Sequence, residues 1–450
     1  MSLPTYPGYK DSGVDWLGTV PEHWDSKRLK FLFDLVKREI REEDRIVTCF
    51  RDGAVTLRDN RRTDGFTNAV KEIGYQGIRV GDLVIHAMDA FAGAIGVSDS
   101  DGKSTPVYSV CTPVSPSVSS NYYARLLRNM AVAGFVSSLA KGIRERSTDF
   151  RWADAGEIFL PVPSETEQRK IVSFLDHETA RIDALIEEQQ RLIELLKEKR
   201  QAVISHAVTK GLDPTVPMKD SGVEWLGEVP AHWDVARVKN VAKLESGHTP
   251  SKDFPEYWEG GDIPWVSLND SKKLKVVDYI DETQFMITEL GVSNSSARLL
   301  PARAVVFTRD ASIGLAAITT KKMCVSQHLI AWICNESLVL PEYLLLVFYA
   351  MEEELDRFTF GATIKTIGMP DIRKLVTPVP PVTEQVQVVA DVNAKRELIE
   401  RLIQESNTAL TLHSERRSAL ISAAVTGKID VRCWQSQASA KAPVFEAEAV

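Results

Sequence analysis

The side chains best suited to chemistry in this sequence are cationic and hydroxyl-bearing groups gathered around glycines. Arg51, Arg58, Arg61 and Arg62 fall within a dozen residues, around Asp52-Gly53 and Asp59-Asn60. Lys141, Arg144, Arg146 and Arg151 surround Gly142. Ser246-Gly247-His248-Thr249-Pro250-Ser251-Lys252 is a Gly/Pro loop rich in hydroxyls, from which His248, Thr249, Ser251 and Lys252 are candidate contacts. Asn269 follows with Lys272, Lys273 and Lys275, then Arg309. Gly361-Ala362-Thr363-Ile364-Lys365-Thr366 is a second loop of this type and adds Thr363 and Lys365. Lysine and arginine neutralise phosphates, and hydroxyl, amide and guanidinium groups reach base edges. Taken singly, each loop reads as solvated surface. As a set present in both parts of the chain, they point to DNA.

Covalent chemistry is not signalled. The sequence contains no P-loop, no GxGxxG opening a βαβ unit, no HExxH and no GxSxG. The Asn/Asp-Pro-Pro-aromatic tetrapeptide with which amino-methyltransferases grip a target amine is also missing. The eight histidines fall singly, and His23 and His232, each before a tryptophan, read as packing or capping residues. A binder is therefore expected rather than an enzyme. The alternative is a stand-alone DNA-modifying or DNA-cleaving enzyme.

Composition bounds the class. The 450 residues are 44% hydrophobic and 26% charged, ordinary for globular domains. The net charge of −8 argues mildly against a nucleic-acid partner, so any DNA contact must come from local patches and from partners. The five cysteines are scattered, with no CxxC pair, which fits a reduced cytosol rather than a disulfide framework or zinc site. No run of eighteen apolar residues suggests a membrane span, and the first residues lack the pattern of a signal peptide, so a cytoplasmic protein is expected.

The elements that must position these side chains occur twice. Lys10-Asp11-Ser12-Gly13-Val14-Asp15-Trp16-Leu17-Gly18, with Val20-Pro21 and His23-Trp24, returns 209 residues later as Lys219 to Gly227, with Val229-Pro230 and His232-Trp233. Leu160-Pro161-Val162-Pro163 with Thr166-Glu167-Gln168 returns 217 residues later as Thr377-Pro378-Val379-Pro380 with Thr383-Glu384-Gln385. This is a duplicated half-protein, and it predicts pseudo-two-fold symmetry. Four segments alternate: variable 1–163, helical 164–210, variable 211–382 and helical 383–430. A tail at 431–450 is expected to be disordered.

Each helical segment carries apolar residues at spacings of three and four over about 40 residues, roughly 60 Å of helix. One seam reads Ile171, Leu175, Ile182, Leu185, Leu192, Leu196, Val203, with Ile186 and Ile193 alongside; the other reads Val388, Val392, Ile399, Leu402, Ala409, Leu420, with Ile403 and Leu410 alongside. Helices this long predict a coiled coil of one against the other, with Glu178 and Lys395 opposite in charge at equivalent seam positions. Ser164 with Glu167, and Thr383 near Glu384, signal the starts; Gly211 and Gly427 follow the ends. The variable segments read as mixed α/β, with strands at 81–87, 107–110, 304–308 and 329–333 and helices at 122–138 and 341–358.

These residues together resemble the specificity subunit of type I restriction–modification enzymes. The resemblance is carried by Gly247-His248-Thr249-Pro250, Gly261-Asp262-Ile263-Pro264-Trp265-Val266, Ser312-Ile313-Gly314 and Gln327. It continues in Val379-Pro380-Pro381 with Glu384-Gln385, in Ala424-Val425-Thr426-Gly427-Lys428, and in the duplicated Trp-Leu-Gly-x-Val-Pro-x-His-Trp. The resemblance covers about residues 8–432. It implies two α/β target recognition domains joined by an antiparallel coiled coil, each reading one part of a split, asymmetric site in double-stranded DNA, with Gln327 among the contacts. It also implies docking of two methyltransferase subunits that use S-adenosylmethionine and, where the complex restricts, of two motor–nuclease subunits that use ATP and Mg2+. No cofactor is expected on this chain. The first variable segment departs from the pattern, carrying Phe50-Arg51-Asp52-Gly53 and Phe91-Ala92-Gly93-Ala94-Ile95-Gly96 in place of the Gly-x-Thr-Pro loop and the Ile-Pro-Trp-Val strand.

Overall fold

The computed structural model describes residues 3–61, 72–139, 150–360 and 365–435. Contacts divide the chain into two units, Met1–Gln189 with Thr408–Val450, and Gln190–Asn407. The division cuts both long helices in the middle rather than at their ends, because each variable segment packs on the helix stretches nearest to it.

In the first unit, Tyr108–Pro113 lies between Phe33–Leu35 and Leu83–His86, and Ile95–Val97 forms the far edge, all antiparallel. In the second, Leu329–Cys334 lies between Ala242–Ser246 and Val305–Thr308, followed by Ala316–Thr319 and, in parallel, Tyr279–Ile280. Leu329–Cys334 and Val305–Thr308 are nearly continuous apolar runs because both their faces are covered. The second unit adds a three-stranded sheet, Phe285–Ile287 beside Ile263–Val266 beside Cys324–Val325.

A helix backs each sheet. Ser120–Val132 starts on Ser119, whose hydroxyl accepts from the Tyr122 amide, and Pro341–Ala350 starts on a proline. Both helices are shorter than the sequence suggests. The first stops before Gly134, which has a φ of 88°, and resumes as Phe135–Leu139. The second stops where the all-apolar run Leu344–Phe348 gives way to acidic Glu352–Glu354, and resumes as Glu352–Arg357. Tyr122 and Tyr343 are fully buried. Each donates its hydroxyl to a carbonyl in the last turn of a long helix, Val425 at 2.8 Å and Val208 at 3.3 Å, where no helical partner remains.

Each variable segment enters and leaves through one two-stranded ladder, Asp25–Arg28 with Phe159–Val162 and Asp234–Arg237 with Val376–Val379. One further bond extends each ladder, Leu29 N to Ile158 O and Val238 N to Leu375 O, both 2.9 Å. Beyond the ladders come the long helices, Glu165–Lys210 with 46 residues and Val382–Val425 with 44. Gly211 and Gly427 close them at a φ of 74°. A Cβ on Gly427 would also lie 2.6 Å from the Pro21 ring.

The duplicated Glu-Gln pairs explain the duplicated His-Trp pairs. Ser164 and Glu167 form a capping box, with Ser164 N to Glu167 Oε2 at 3.3 Å and Glu167 N to Ser164 Oγ at 3.4 Å. Glu167 Oε1 also lies 2.8 Å from His23 Nε2 and accepts from Trp24 Nε1 at 3.3 Å. Glu384 repeats the contact with His232 at 2.9 Å. The second helix begins one residue ahead of Thr383, which is therefore internal rather than a cap. Gln168 accepts from Ser119 N and donates to the Ser117 and Pro163 carbonyls. Gln385 accepts from Leu340 N and donates to the Leu338 and Pro380 carbonyls, each at 2.8 Å. These glutamines stitch the helix start to the loop before the sheet-backing helix.

Burial opposes ionisation of Glu167, but hydrogen bonds from His23, Ser164 and Trp24 outweigh it and hold the carboxyl below its usual range. A depressed folded-state value means that this stabilisation is present above the unfolded carboxylate pKa, about 4.3. It is lost as pH falls through the folded value. Melting followed against pH is expected to separate the wild type from Glu167→Gln at neutral pH, with the gap narrowing as pH falls below the unfolded carboxylate value of about 4.3. A gap that stays constant down to pH 3 would refute the assignment.

Within each unit the two helices run antiparallel. In the first, Phe174 packs on Trp434 and Arg417 Nε reaches Asp183 at 2.7 Å. In the second, Ile204 and Val208 share a core with Val388 and Val392, and Arg200 pairs with Glu400. The expected seam needs correction. Leu185, Leu192 and Leu402 are each 41% exposed, while Ile182, Ile193, Leu196 and Ile399 are buried. Ile182, Leu196 and Ile399 thus keep their seam positions, and Ile193 from alongside takes an inner one, because a straight helix drifts against a 3.5-residue repeat. Of the two equivalent seam charges, Glu178 pairs with Arg181 and Lys395 with Asp391, each on its own helix. The tail begins later than 431, since Val431 is buried and Trp434 contacts Phe174; residues 436–450 lie outside the described residues. No described helix is long and apolar enough to cross a membrane.

Candidate nucleic-acid interface

In the second unit, three loops converge at the end of the central sheet. The Gly247–Lys252 loop follows the edge strand Ala242–Ser246. A Cβ at Gly247 would sit 2.1 Å from the Ser326 carbonyl, so only glycine lets the two chains meet. His248 N donates to Val325 O at 3.0 Å. Trp265, from the Ile-Pro-Trp-Val strand, donates its indole N–H to His248 O at 3.1 Å, and Trp258 does the same to Ser251 O at 3.1 Å. The two indoles meet edge to face at 5.1 Å between ring centroids. Two tryptophans thus hold the loop against the sheet.

Thr249 lies against Gln327, whose Nε2 is 3.2 Å from His328 Nε2. His328 Nδ1 is 2.7 Å from Asp310 Oδ2. Arg309 N donates to His328 O at 3.0 Å, and Ala311 N to Lys365 O at 2.8 Å. Ala311 sits in the left-handed region at a φ of 61°, strain placed beside these polar groups. Arg309 Nε and Asp310 Oδ1 are buried without a hydrogen-bond partner. They face one another at 3.6 Å as an ion pair. Of the sequence candidates, His248, Thr249, Arg309 and Gln327 therefore come together, and Lys365 reaches them only through its backbone carbonyl.

Others do not join them. Ser251 is turned to Asp253 at 3.3 Å, while Lys252 is exposed. Asn269 leans on the Ser267–Asp270 capping box, and Lys273 is held by Asp281 at 2.8 Å. Lys272 is exposed on the same short helix. Lys365 itself reaches Asp356 at 3.3 Å. Thr363 lies outside the described residues.

In the first unit the arginines are tied to acids. Arg51 donates to Asp89 at 2.9 Å. Arg61 pairs with Asp52 and lies 5.2 Å over the Phe50 ring. Arg58 Nε is 3.4 Å from Thr48 Oγ1. Burial opposes ionisation of Asp52, but the Arg61 and Ala54 hydrogen bonds and the nearby Arg128 charge hold its carboxyl below the usual range. Arg62, Lys141, Arg144 and Arg146 lie outside the described residues. Asp310 and His328 were missed in sequence. The only signal was adjacency to Arg309 and Gln327, because the contact between them spans 18 residues.

A family model described as the type I restriction modification DNA specificity domain matches residues 230–405. Among curated proteins, the chain is 30% identical to the type I restriction enzyme MjaIX specificity subunit of Methanocaldococcus jannaschii over 177 residues, 39% of this chain and 40% of that protein. It is 21% identical over 446 residues to the putative MjaX specificity subunit of the same organism, 92% of this chain and 96% of that one. The chain thus spans less than half the length of the first relative and nearly all of the second. Among solved structures, a chain from a study of assembly and conformational transition of the type I R-M system superposes with a TM-score of 0.69 at 16% identity, covering 91% of this chain and 99% of that chain. The HsdS subunit of Thermoanaerobacter tengcongensis gives 0.55 at 16% identity, covering 91% and 98%. Residues 230–405, which hold the polar cluster, thus match the type I restriction modification DNA specificity domain, and the chain as a whole is similar to type I restriction specificity subunits.

Proposed function

We propose that this chain is the non-catalytic DNA-reading subunit of a type I restriction–modification complex. The observation that carries the reading is a duplicated frame holding two unlike polar surfaces. The ladders, the Glu-Gln stitches and the helix pairing repeat, while the loops that the frame presents differ. A protein that must read two different sequences in one fixed relation needs this combination. Base-edge contacts supply the sequence information, and phosphate contacts fix register. The acidic net charge is consistent with phosphate affinity supplied largely by partner subunits. Those partners are two methyltransferase subunits that bind S-adenosylmethionine and, where the complex restricts, two motor–nuclease subunits that bind ATP and Mg2+.

The purified chain, incubated with DNA, S-adenosylmethionine, ATP and Mg2+, is expected to give no methylation, cleavage or nucleotide turnover. Addition of the methyltransferase partner is expected to bring adenine methylation at one split, asymmetric site. Turnover that persists in protein prepared from cells deleted for the partner genes would overturn this and favour a stand-alone enzyme.

A further inference from the structure

We propose that Gln327 reads an adenine in the half-site contacted by the second unit, through N6 and N7 on its major-groove edge. The inference rests on the DNA-reading function above. It follows from a chain of hydrogen bonds read with the His328 imidazole neutral. Asp310 Oδ2 lies 2.7 Å from His328 Nδ1. A carboxylate only accepts, so Nδ1 carries the proton, and Nε2 of the neutral imidazole presents a lone pair. Gln327 Nε2 is 3.2 Å from that lone pair, so the amide nitrogen must face it; the amide oxygen there would set lone pair against lone pair. The Thr249 hydroxyl then donates to Gln327 Oε1. Asp310 thus selects which way round the amide stands, through the tautomer of His328.

Two groups of the amide remain unused, one N–H and one lone pair of Oε1. The side chain is exposed, so both are available side by side. Adenine presents the complement, N7 as acceptor and N6 as donor. Guanine presents two acceptors, and its O6 would meet the amide oxygen. Cytosine offers one donor and thymine one acceptor. The backing is rigid, since Gly247 lets the Thr249 loop close on the Ser326 carbonyl and Trp265 pins His248. Gln327 is the specificity-determining group, and Asp310, His328 and Thr249 are positioning residues.

The test is adenine-methylation mapping in cells that express the full chain with its methyltransferase partner. Gln327→Ala is expected to relax one adenine position in the half-site owned by residues 238–375, losing roughly 5- to 150-fold of discrimination there and none elsewhere. Asp310→Asn is expected to relax the same position, because Nδ1 can then accept, Nε2 carries the proton and the amide turns over. A third arm needs no variant: in a binding competition with the assembled wild-type complex, 7-deazaadenine at that position removes the N7 acceptor and should weaken binding. A motif unchanged by Gln327→Ala, relaxation at a position that is not an A·T pair, or equal loss at every position would each overturn the adenine assignment. If no half-site tracks residues 238–375 in segment exchanges, the DNA-reading function itself fails, which is a separate result.

Discussion

A chain in which residues 238–375 are replaced by a second copy of 29–158 is expected to direct methylation to a palindrome, the first half-site followed by its inverted repeat. The junctions fall where each two-stranded ladder ends, so Asp25–Arg28 with Phe159–Val162 and Asp234–Arg237 with Val376–Val379 both survive. The long helices are also untouched, and the copy brings Ser117 and Ser119 to Gln385 in place of Leu338 and Leu340. Proteins with two-fold symmetry read palindromes when their two readers are alike. Methylation of the original asymmetric site should fall by roughly 10³-fold or more, the usual gap between specific and non-specific binding. Genome-wide mapping of modified adenines in cells carrying the exchanged protein decides it. An unchanged asymmetric motif would show that the exchanged segments are not the readers.

The largest expected effect on stability comes from Gln385→Ala. The side chain is fully buried, and its three hydrogen bonds, all 2.8 Å, satisfy the Leu340 amide and the Leu338 and Pro380 carbonyls. Alanine leaves these groups without partners and a hole where the amide was. At about 1–3 kcal/mol for each buried group orphaned, with partial relaxation, the loss should reach about 3–4 kcal/mol. For a unit of this size that lowers the melting transition by roughly 10 °C. Calorimetry should show the transition of Gln190–Asn407 moving while that of the other unit stays. Gln168→Ala should reverse the pattern. A shift equivalent to less than about 1 kcal/mol would mean that water or neighbouring groups replace the amide.

The frame was largely legible in the sequence, for a physical reason. Duplication writes the same packing problem twice, so Trp24 and Trp233, or Gln168 and Gln385, identify each other. The long helices were legible because an amphipathic stripe over more than ten turns has no other explanation. Their inner face was legible in part: Ile171, Leu175, Ile182, Leu196, Val388, Val392 and Ile399 are buried as the spacing implies, but Leu192 and Ile193 are equally apolar and only helix drift decides between them. The reading cluster was half legible. Thr249 and Lys365 announce themselves as polar groups near glycines, while Gln327 enters through the family resemblance. Asp310 and His328 are joined across two paired strands that are not consecutive, and nothing local marks a carboxylate that acts on an amide through an imidazole. In the first unit, loops without the Gly-x-Thr-Pro pattern left only charge as a guide, and charge does not say that Asp89 and Asp52 hold Arg51 and Arg61.

The division of the helices between the units sets an order of events during synthesis. Gln190–Asn407 is one continuous stretch, so it can close as soon as its last turn clears the ribosome. The other unit cannot. Its variable segment is translated first, yet Tyr122 awaits Val425, Thr19 awaits Lys428, and Phe174 awaits Trp434. At about 5–20 residues per second, that surface stays open for on the order of tens of seconds while the later unit is made and folded. The earlier-translated reader is therefore completed last. It is the part of the nascent chain on which a chaperone has time to act.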